Sequence, residues 1–217
     1  MPTQLDQDID RITKAVTAPG QMFELTEVTR RGVTMPAFKN APPSVVHYFA
    51  HFCNEKKDET FLVEGDQRMT FGEVWHAATH VAHSLATEHG IEKGDRVGIA
   101  ARNSSNWIVA YMGILMAGGC ATLLNGWWTG EELAYGIKLC ECKLVLADPQ
   151  RAARLEDEDH PARVIVFDHG VPSQGLASVW AAGDTAMKML GQIGPDDLAT
   201  ILYTSGSTGH PKGAYSD

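Results

Sequence analysis

The sequence predicts an α/β fold in which a largely parallel sheet is flanked by helices. After Gly90, short apolar runs alternate with segments of helical periodicity, and this order favours parallel strands joined by helices. The runs fall within residues 95–100, 120–124, 143–147, 164–167 and 198–203. Their richness in Val, Ile, Leu and Ala is typical of strands buried on both faces of a sheet.

The first 41 residues show no clear periodicity and are predicted to form an N-terminal extension. They contain Pro19-Gly20 and Pro36, and Pro42-Pro43 follows them. Proline and glycine interrupt regular structure, so only one short helix is expected, near residues 6–16. The α/β region is therefore predicted to span residues 42–217.

Capping residues mark where the main helices begin. Ser44 is predicted to cap a helix that runs to about residue 57, and Asn103 or Ser104 a helix that runs to residue 117. Residues 61–70 resemble two short strands around a Gly-Asp turn. Two pairs have the spacing of a capping box and start helices that end near residues 88 and 140: Thr70 with Glu73, and Thr129 with Glu132.

Three histidines follow one another at helical spacing on the helix that starts after Thr70. His76, His80 and His83 stand at positions i, i+4 and i+7. Imidazoles one turn apart can share a metal ion. The stripe lies opposite the predicted core face, however, and no carboxylate or cysteine is obviously placed to complete a site. We therefore predict a solvated histidine face, with a metal site as the alternative.

Composition excludes some classes of function. The net charge is −9, which argues against nucleic acid as a partner because phosphate backbones are bound by clustered Lys and Arg. The N-terminus does not resemble a secretory signal. Four cysteines lack zinc or redox spacing, so reduced, buried thiols and a cytoplasmic protein are expected: Cys53, Cys120, Cys140 and Cys142.

An uncharged stretch raises the question of a membrane span. Residues 107–124 carry no charge over eighteen positions, which is long enough to cross a bilayer. Gly118-Gly119 divides the stretch, and the remainder fits a core helix followed by a buried strand. We therefore predict no transmembrane span. A homo-oligomer is left open.

The strand at residues 198–203 leads into a loop that is suited to phosphate. Glycines allow tight turns that bring backbone N–H groups close to an anion. Hydroxyl groups and one lysine add donors and a mobile positive charge. The residues assigned to nucleotide binding are Thr204, Ser205, Gly206, Ser207, Thr208, Gly209 and Lys212.

Spacing removes two familiar loop types. A Walker loop needs Gly before its lysine and Ser or Thr after it, whereas Pro211 and Gly213 flank Lys212. A nucleophile elbow needs glycine two positions before its serine, where Ser205 precedes Ser207. A flexible Gly/Ser linker is the remaining alternative on residue types alone.

The loop resembles the phosphate-loop signature of the AMP-forming adenylating enzymes, which include acyl- and aryl-CoA synthetases, luciferases and the adenylation domains of peptide synthetases. The match is Tyr203-Thr204-Ser205-Gly206-Ser207-Thr208-Gly209-His210-Pro211-Lys212-Gly213. Residues 94–99, 103–107, 116–119 and 124–125 also follow the order of that family. Trp127-Trp128 departs from its usual small or polar residues, and we interpret the pair as core or subdomain-interface packing, with an acyl-chain wall as the alternative.

The resemblance implies an acid–thiol ligase that uses ATP, Mg²⁺ and coenzyme A. A carboxylic acid would react with ATP to give acyl-adenylate and pyrophosphate, and the acyl group would then pass to coenzyme A. The expected acid is a fatty acid or a related hydrophobic acid. The hydroxyls and Lys212 would hold the β/γ-phosphates and metal-bound water, while the glycines shape the loop; no catalytic residue is assigned. Residues 42–217 would form an incomplete, truncated part of the large N-terminal domain of such an enzyme.

Three hypotheses stay open at this point. The favoured one is a fragment of an acyl-CoA ligase, which we expect to make no acyl-adenylate by itself. An adenylation domain that loads a carrier protein is the second. A non-enzymatic nucleotide-binding module is the third.

Overall fold

The computed structural model describes residues 2–30, 32–183, 193–204 and 211–217. Contacts between residues divide the chain into two compact units, residues 1–43 and residues 44–217. The predicted boundary between residues 41 and 42 lies close to this division. The interpretation of the units as an extension and an enzyme subdomain stays a prediction.

The first unit combines a helix and a hairpin. Helix α1 spans Gln4–Val16, and a capping box between Thr3 and Asp6 starts it. Strands β1, Leu25–Arg30, and β2, Val33–Phe38, pair antiparallel. The helix confirms the prediction, but the hairpin was not expected. Pro36 suggested irregular structure there, yet proline is tolerated in a two-stranded hairpin because both of its strands are edges.

The second unit contains the sheet and most of the helices. Its helices are α2 Val45–Glu55, α3 Phe71–Thr87, α4 Ser105–Met116, α5 Gly130–Leu139, α6 Pro149–Leu155 and α7 Pro172–Gly175, followed by a 3-10 turn at Ala177–Val179. Its strands are β3 Thr60–Glu64, β4 Gln67–Thr70, β5 Arg96–Ala100, β6 Cys120–Leu123, β7 Leu144–Ala147, β8 Arg163–Val166, β9 Thr200–Thr204 and β10 Lys212–Ser216.

The main sheet is mostly parallel, as predicted. In the described part of the chain its strand order is β10-β9-β6-β5-β7-β8. The five strands from β9 to β8 are parallel to one another. Only β10, at the edge of the sheet, runs antiparallel to its neighbour β9. The hairpin β3–β4 forms a separate small sheet, at the Gly-Asp turn that the sequence indicated.

Both faces of this sheet are covered. Along β7, Leu144 and Leu146 belong to one buried cluster, together with residues of α3 and α4. The alternate residues Val145 and Ala147 belong to a second cluster, with residues of α5 and α6. This alternation explains the nearly continuous apolar runs in the sequence, since neither face of a central strand meets water.

The predicted helix starts are confirmed. The side chain of Ser44 accepts a hydrogen bond from the backbone N–H of His47, and that of Ser104 accepts one from Trp107. Both capping boxes form, Thr70 with Glu73 and Thr129 with Glu132. Each cap satisfies N–H groups that the first helical turn leaves without partners.

The uncharged stretch after residue 107 does not form one long helix. Helix α4 ends at Met116, and Gly118, with φ of +86°, turns the chain into β6. In the described ranges, no helix is long and apolar enough to cross a membrane.

The prediction of a solvated histidine face is wrong for one of its three members. His76 and His83 are exposed, but His80 is only 7% exposed. Helical spacing located the core face through Val74 and Ala78, but it could not show that residues 177–183 cover the opposite side. His80 hydrogen-bonds Ala181 there.

The tryptophan pair is split. Trp128 is partly buried against the second cluster, and its ring meets that of Tyr203 edge-on, with ring centroids 5.0 Å apart. Trp127 is 86% exposed, so core packing is wrong for it, while subdomain-interface packing and an acyl-chain wall stay predictions. Neighbouring residues in the loop before α5 point in different directions, which a sequence pattern cannot resolve.

Candidate functional site

The carboxyl ends of the parallel strands define the candidate site. The chain passes from β5 to β6, which lies on one side of β5, and then crosses to β7 on the other side of β5. Such a reversal in strand order opens a crevice beyond the carboxyl ends of the strands, where α/β proteins bind ligands. Strand β9 ends at Thr204 on the same edge, because it is parallel to β6.

The two described ends of the predicted phosphate loop belong to neighbouring antiparallel strands. Thr204, the last residue of β9, pairs with Lys212, the first residue of β10. The hydroxyl of Thr204 donates to the carbonyl of Lys212 at 3.4 Å. Both residues are exposed, so the described ends of the loop face solvent. The other assigned residues lie outside the described part of the chain: Ser205, Gly206, Ser207, Thr208 and Gly209.

Tyr203 fixes the end of β9 to the body of the unit. Its hydroxyl donates to the carbonyl of Gly136 at 2.5 Å and contacts Cys140 Sγ at 2.9 Å. Burial, followed by these contacts with Cys140, raises the pKa of the tyrosine hydroxyl, which stays protonated. Side chains alternate along a strand, so anchoring Tyr203 on one face presents Thr204 on the other.

A cavity of 440 Å³ opens at the carboxyl ends of β5 and β6. Its walls come from the loop after β5, the loop after β6 and the first turn of α6. The lining is mixed in polarity, and Arg102, Asn103, Trp107, Asn125, Trp127 and Arg151 contribute to it. The cavity is large enough for part of an organic ligand.

A buried ion pair connects the three walls of this cavity, which are the two loops and the first turn of α6. Asp148, the N-cap of α6, accepts from Arg151 Nη1 at 3.1 Å and from the backbone N–H of Arg102 at 3.0 Å. Arg151 Nε donates to the carbonyl of Gly126 at 2.7 Å. Both charged side chains are about 95% buried. Because the two charges share these hydrogen bonds, the pair holds the edges of the cavity in place.

Sequence reasoning missed this pair and the role of Tyr203. The one available signal was Asp148 followed by Pro149, which marks a helix N-terminus. That pattern indicates a cap, but nothing in it shows that Arg151 also reaches Gly126. In the described part of the chain no group of three or more His, Cys, Asp or Glu side chains is placed to hold a metal ion.

Fold and site together define a doubly wound α/β protein with a crevice at the carboxyl edge of its sheet, the edge at which β9 ends. Comparison with known proteins makes the assignment specific. The family model of AMP-binding enzymes matches residues 49–216. The chain belongs to the AMP-binding enzyme family, which confirms the resemblance drawn from the sequence.

Curated relatives include CoA ligases and nonribosomal peptide synthetases. The 4-coumarate–CoA ligase 3 of Arabidopsis thaliana is 30% identical over 171 residues, which are 75% of this chain and 30% of that protein. The nonribosomal peptide synthetase vlms of a Lecanicillium species is 32% identical over 148 residues, which are 68% of this chain and 2% of that protein. The chain spans at most about a third of the length of the curated relatives that it matches.

Solved structures support the fold. The inhibitor-bound N-terminal domain of FACL13 from Mycobacterium tuberculosis matches with a TM-score of 0.70 and 25% identity, over 80% of this chain and 44% of that one. The anthranilate CoA ligase AuaEII in complex with anthranoyl-AMP matches with a TM-score of 0.68 and 21% identity, over 81% and 35% of the two chains.

Proposed function

We propose that this chain supplies part of the large N-terminal domain of an ATP-dependent, AMP-forming acid–thiol ligase. One observation carries the proposal. The antiparallel hairpin of β9 and β10 places Thr204 and Lys212 side by side at the ends of the predicted phosphate loop, inside the region that matches AMP-binding enzymes. A linker would need no such paired strands.

The loop would bind the part of ATP that leaves. A carboxylate oxygen of the substrate attacks the α-phosphorus, the bond from that phosphorus to the bridging oxygen breaks, and pyrophosphate carries away the electron pair. Negative charge therefore grows on the β- and γ-phosphates. Thr204 and Lys212 at the loop ends, with Ser205, Ser207 and Thr208 between them, are assigned to stabilise this charge as donors.

Mg²⁺ and coenzyme A would complete the chemistry. Mg²⁺ supplies positive charge to the phosphate oxygens when it is bound, and the neutral hydroxyls of the loop suit contacts with its water shell. Gly206 and Gly209 would let the backbone approach the phosphates closely. Coenzyme A is the proposed acceptor, since its thiolate would replace AMP on the acyl carbon and give the thioester.

The proposed acid is hydrophobic, with fatty acids first. A very long-chain fatty acid transport protein of Cochliobolus heterostrophus is among the relatives, at 28% identity over 78% of this chain. Aromatic acids are the nearest competitor, because the 4-coumarate and hydroxybenzoate ligases are slightly more similar, at 30% identity each. A screen of the protein made from its complete coding sequence, with hydroxylamine trapping of acyl-adenylates, would rank medium-chain, long-chain, aryl and steroidal acids.

Loading of a carrier protein is the second candidate function. The similarity to the nonribosomal peptide synthetase vlms and to the AMB antimetabolite synthetase AmbB of Pseudomonas aeruginosa favours it. Coding sequence for a carrier domain next to this region would support that function, whereas thioester formation with free coenzyme A would support the first.

The phosphate assignment can be tested on residues 1–217 directly. We expect pyrophosphate to bind, and Lys212→Ala to weaken binding by about tenfold or more, the loss expected when a hydrogen bond to a charged group is removed. Lys57→Ala is the matched control, because Lys57 is also exposed but belongs to the segment between α2 and β3, not to β9 or β10. Calorimetry that shows equal affinity in both variants would refute the assignment.

The same residues are proposed to be inactive in the overall reaction by themselves. They match only 30% to 31% of the length of the CoA ligase relatives. The rest of those proteins has no counterpart in residues 1–217 and cannot contribute to the reaction. We expect no substrate-dependent ATP–pyrophosphate exchange from residues 1–217. Measurable exchange would contradict this proposal without affecting the phosphate assignment.

A further inference from the structure

A pair of histidines on α3 brings two ring nitrogens together outside the carboxyl-edge site. His76 and His80 are one helical turn apart, and their Nε2 atoms lie 3.1 Å from each other. Two ligands at the usual zinc–nitrogen distance of about 2.0–2.1 Å would subtend an angle of about 100° at this separation. That angle is close to both tetrahedral and square-planar values.

His80 is oriented as a metal ligand usually is. Its Nδ1 lies 2.7 Å from the carbonyl oxygen of Ala181, which can only accept a hydrogen bond. The proton of neutral His80 is therefore on Nδ1, and Nε2 carries the lone pair. Metal-binding histidines almost always donate their second ring N–H to a carboxylate, a backbone carbonyl or water, and His80 has the carbonyl. Trp180 also stacks on the ring, with centroids 4.4 Å apart.

His76 is the solvent-exposed member of the pair, whereas His80 is only 7% exposed. His76 lines a cavity of 360 Å³, to which Trp180 and Ser173 also contribute. Glu73 lines the cavity too, but its carboxylate accepts from the backbone N–H of Thr70 at 2.7 Å. Water would therefore fill the remaining positions around an ion bound by the two imidazoles.

We propose that His76 and His80 bind a divalent transition-metal ion, Cu²⁺ most tightly and Ni²⁺ or Zn²⁺ more weakly. Imidazole suits these ions, and affinity for them generally peaks at Cu²⁺. Without metal, His76 Nε2–H donates to the lone pair of His80. On binding, the proton of His76 moves to its own Nδ1, so that both Nε2 atoms coordinate the ion and no net proton is released.

A second histidine pair shows that spacing alone does not make this site. His47 and His51 have the same separation on α2. His47 Nδ1 is bonded to Ser44 Oγ at 2.7 Å, and His51 Nε2 faces Glu55 at 3.3 Å. One nitrogen of each ring in this pair has another partner, whereas the Nε2 atoms of His76 and His80 contact each other.

Tryptophan fluorescence tests the proposal, since Cu²⁺ quenches nearby indoles and Trp180 stacks on one ligand. We expect CuCl₂ to cause saturable quenching of the 217-residue chain at neutral pH, reversed by EDTA. His76→Gln should weaken Cu²⁺ binding by at least about tenfold, because it removes a ligand. His51→Gln, the matched control, should leave the titration unchanged. Trp180→Phe should lose the quenching phase while calorimetry still detects binding.

Folding is checked separately. His76 is exposed, so His76→Gln should keep the circular dichroism spectrum and melting temperature of the parent chain in EDTA. Zn²⁺ should raise the melting temperature of the parent but not of His76→Gln, because only a folded site binds the ion. Equal quenching of the parent and His76→Gln, or quenching lost in His51→Gln instead, would show that the 3.1 Å contact is only a hydrogen bond.

Discussion

The centre of the sheet and its hairpin edge differ in almost every physical respect. Residues Val97 to Ala100 of β5 are fully buried between β6 and β7, and helices cover both faces. All five residues of β10 are exposed. We therefore expect stability to depend on the buried centre and the proposed phosphate binding to depend on the exposed hairpin. Changes in the centre should alter the free energy of unfolding without changing pyrophosphate affinity, and changes in the hairpin should do the reverse.

The largest change in stability is expected at the buried ion pair of Asp148 and Arg151, which follows strand β7. Arg151→Met removes the partner of Asp148 and leaves a carboxylate that is 95% buried without its counter-charge. Loss of one partner of a buried pair costs about 3–5 kcal/mol. Urea unfolding should show a decrease of this size. Arg102→Met is the control, since Arg102 is exposed and only its backbone N–H contacts Asp148. A loss below about 1 kcal/mol in Arg151→Met, the range of exposed pairs, would show that the pair stabilises little.

A close helix contact gives the next largest effect. A Cβ added at Gly113 of α4 would lie 2.6 Å from Val81 Cγ1 and 2.8 Å from Val81 Cβ. Gly113→Ala should therefore force α3 and α4 apart and destabilise the fold by about 1–3 kcal/mol, as overpacked cores do. Gly194→Ala, where the nearest atom is 3.8 Å away, should be nearly neutral. Thermal unfolding compares the two variants, and equal melting temperatures would contradict the expectation.

Tyr203→Phe probes the junction between the two regions. The substitution removes the hydrogen bond to Gly136 while keeping the ring against Trp128. A loss of about 1 kcal/mol of stability is expected, the net value of one hydrogen bond. Because the anchor sets the position of Thr204, pyrophosphate affinity should fall as well. Unchanged affinity, measured by calorimetry at a temperature where the variant is folded, would show that the hairpin does not depend on this anchor.

The sequence predicted the architecture well because the fold rests on repeated local patterns. Capping boxes at Thr70 and Thr129, and apolar runs such as residues 143–147, each carry their own physical signal. The contacts that shape the site are of another kind. Tyr203 with Gly136 joins residues 67 positions apart in the sequence, and His80 with Ala181 joins residues 101 apart. No local pattern records such pairs, so the anchor was missed and His80 was placed in solvent.

Near neutral pH the smallest effect is expected from the buried thiols, and their effect on stability grows only at alkaline pH. Burial raises the pKa of Cys142, in the second core cluster, to about 12. Above about pH 9, the unfolded chain loses this proton while the folded chain keeps it, so the folded state binds more protons and stability falls as pH rises towards 12. Cys142→Ala should make this decline shallower, by at most about 1.4 kcal/mol per pH unit, and leave its slope near neutral pH unchanged.

Thiol labelling extends the comparison to individual residues. Cys140, half-buried beside Tyr203 at the hairpin, should react with a maleimide in the native state, whereas Cys142 should react only when the chain unfolds. Pyrophosphate should slow labelling of Cys140 if the anchor and the phosphate loop move together. Labelling of Cys142, which requires unfolding, should slow only as far as pyrophosphate raises the free energy of unfolding, and therefore less than labelling of Cys140. Protection of both thiols to the same degree would mean that binding stabilises the whole unit, and that the two regions are not energetically separate.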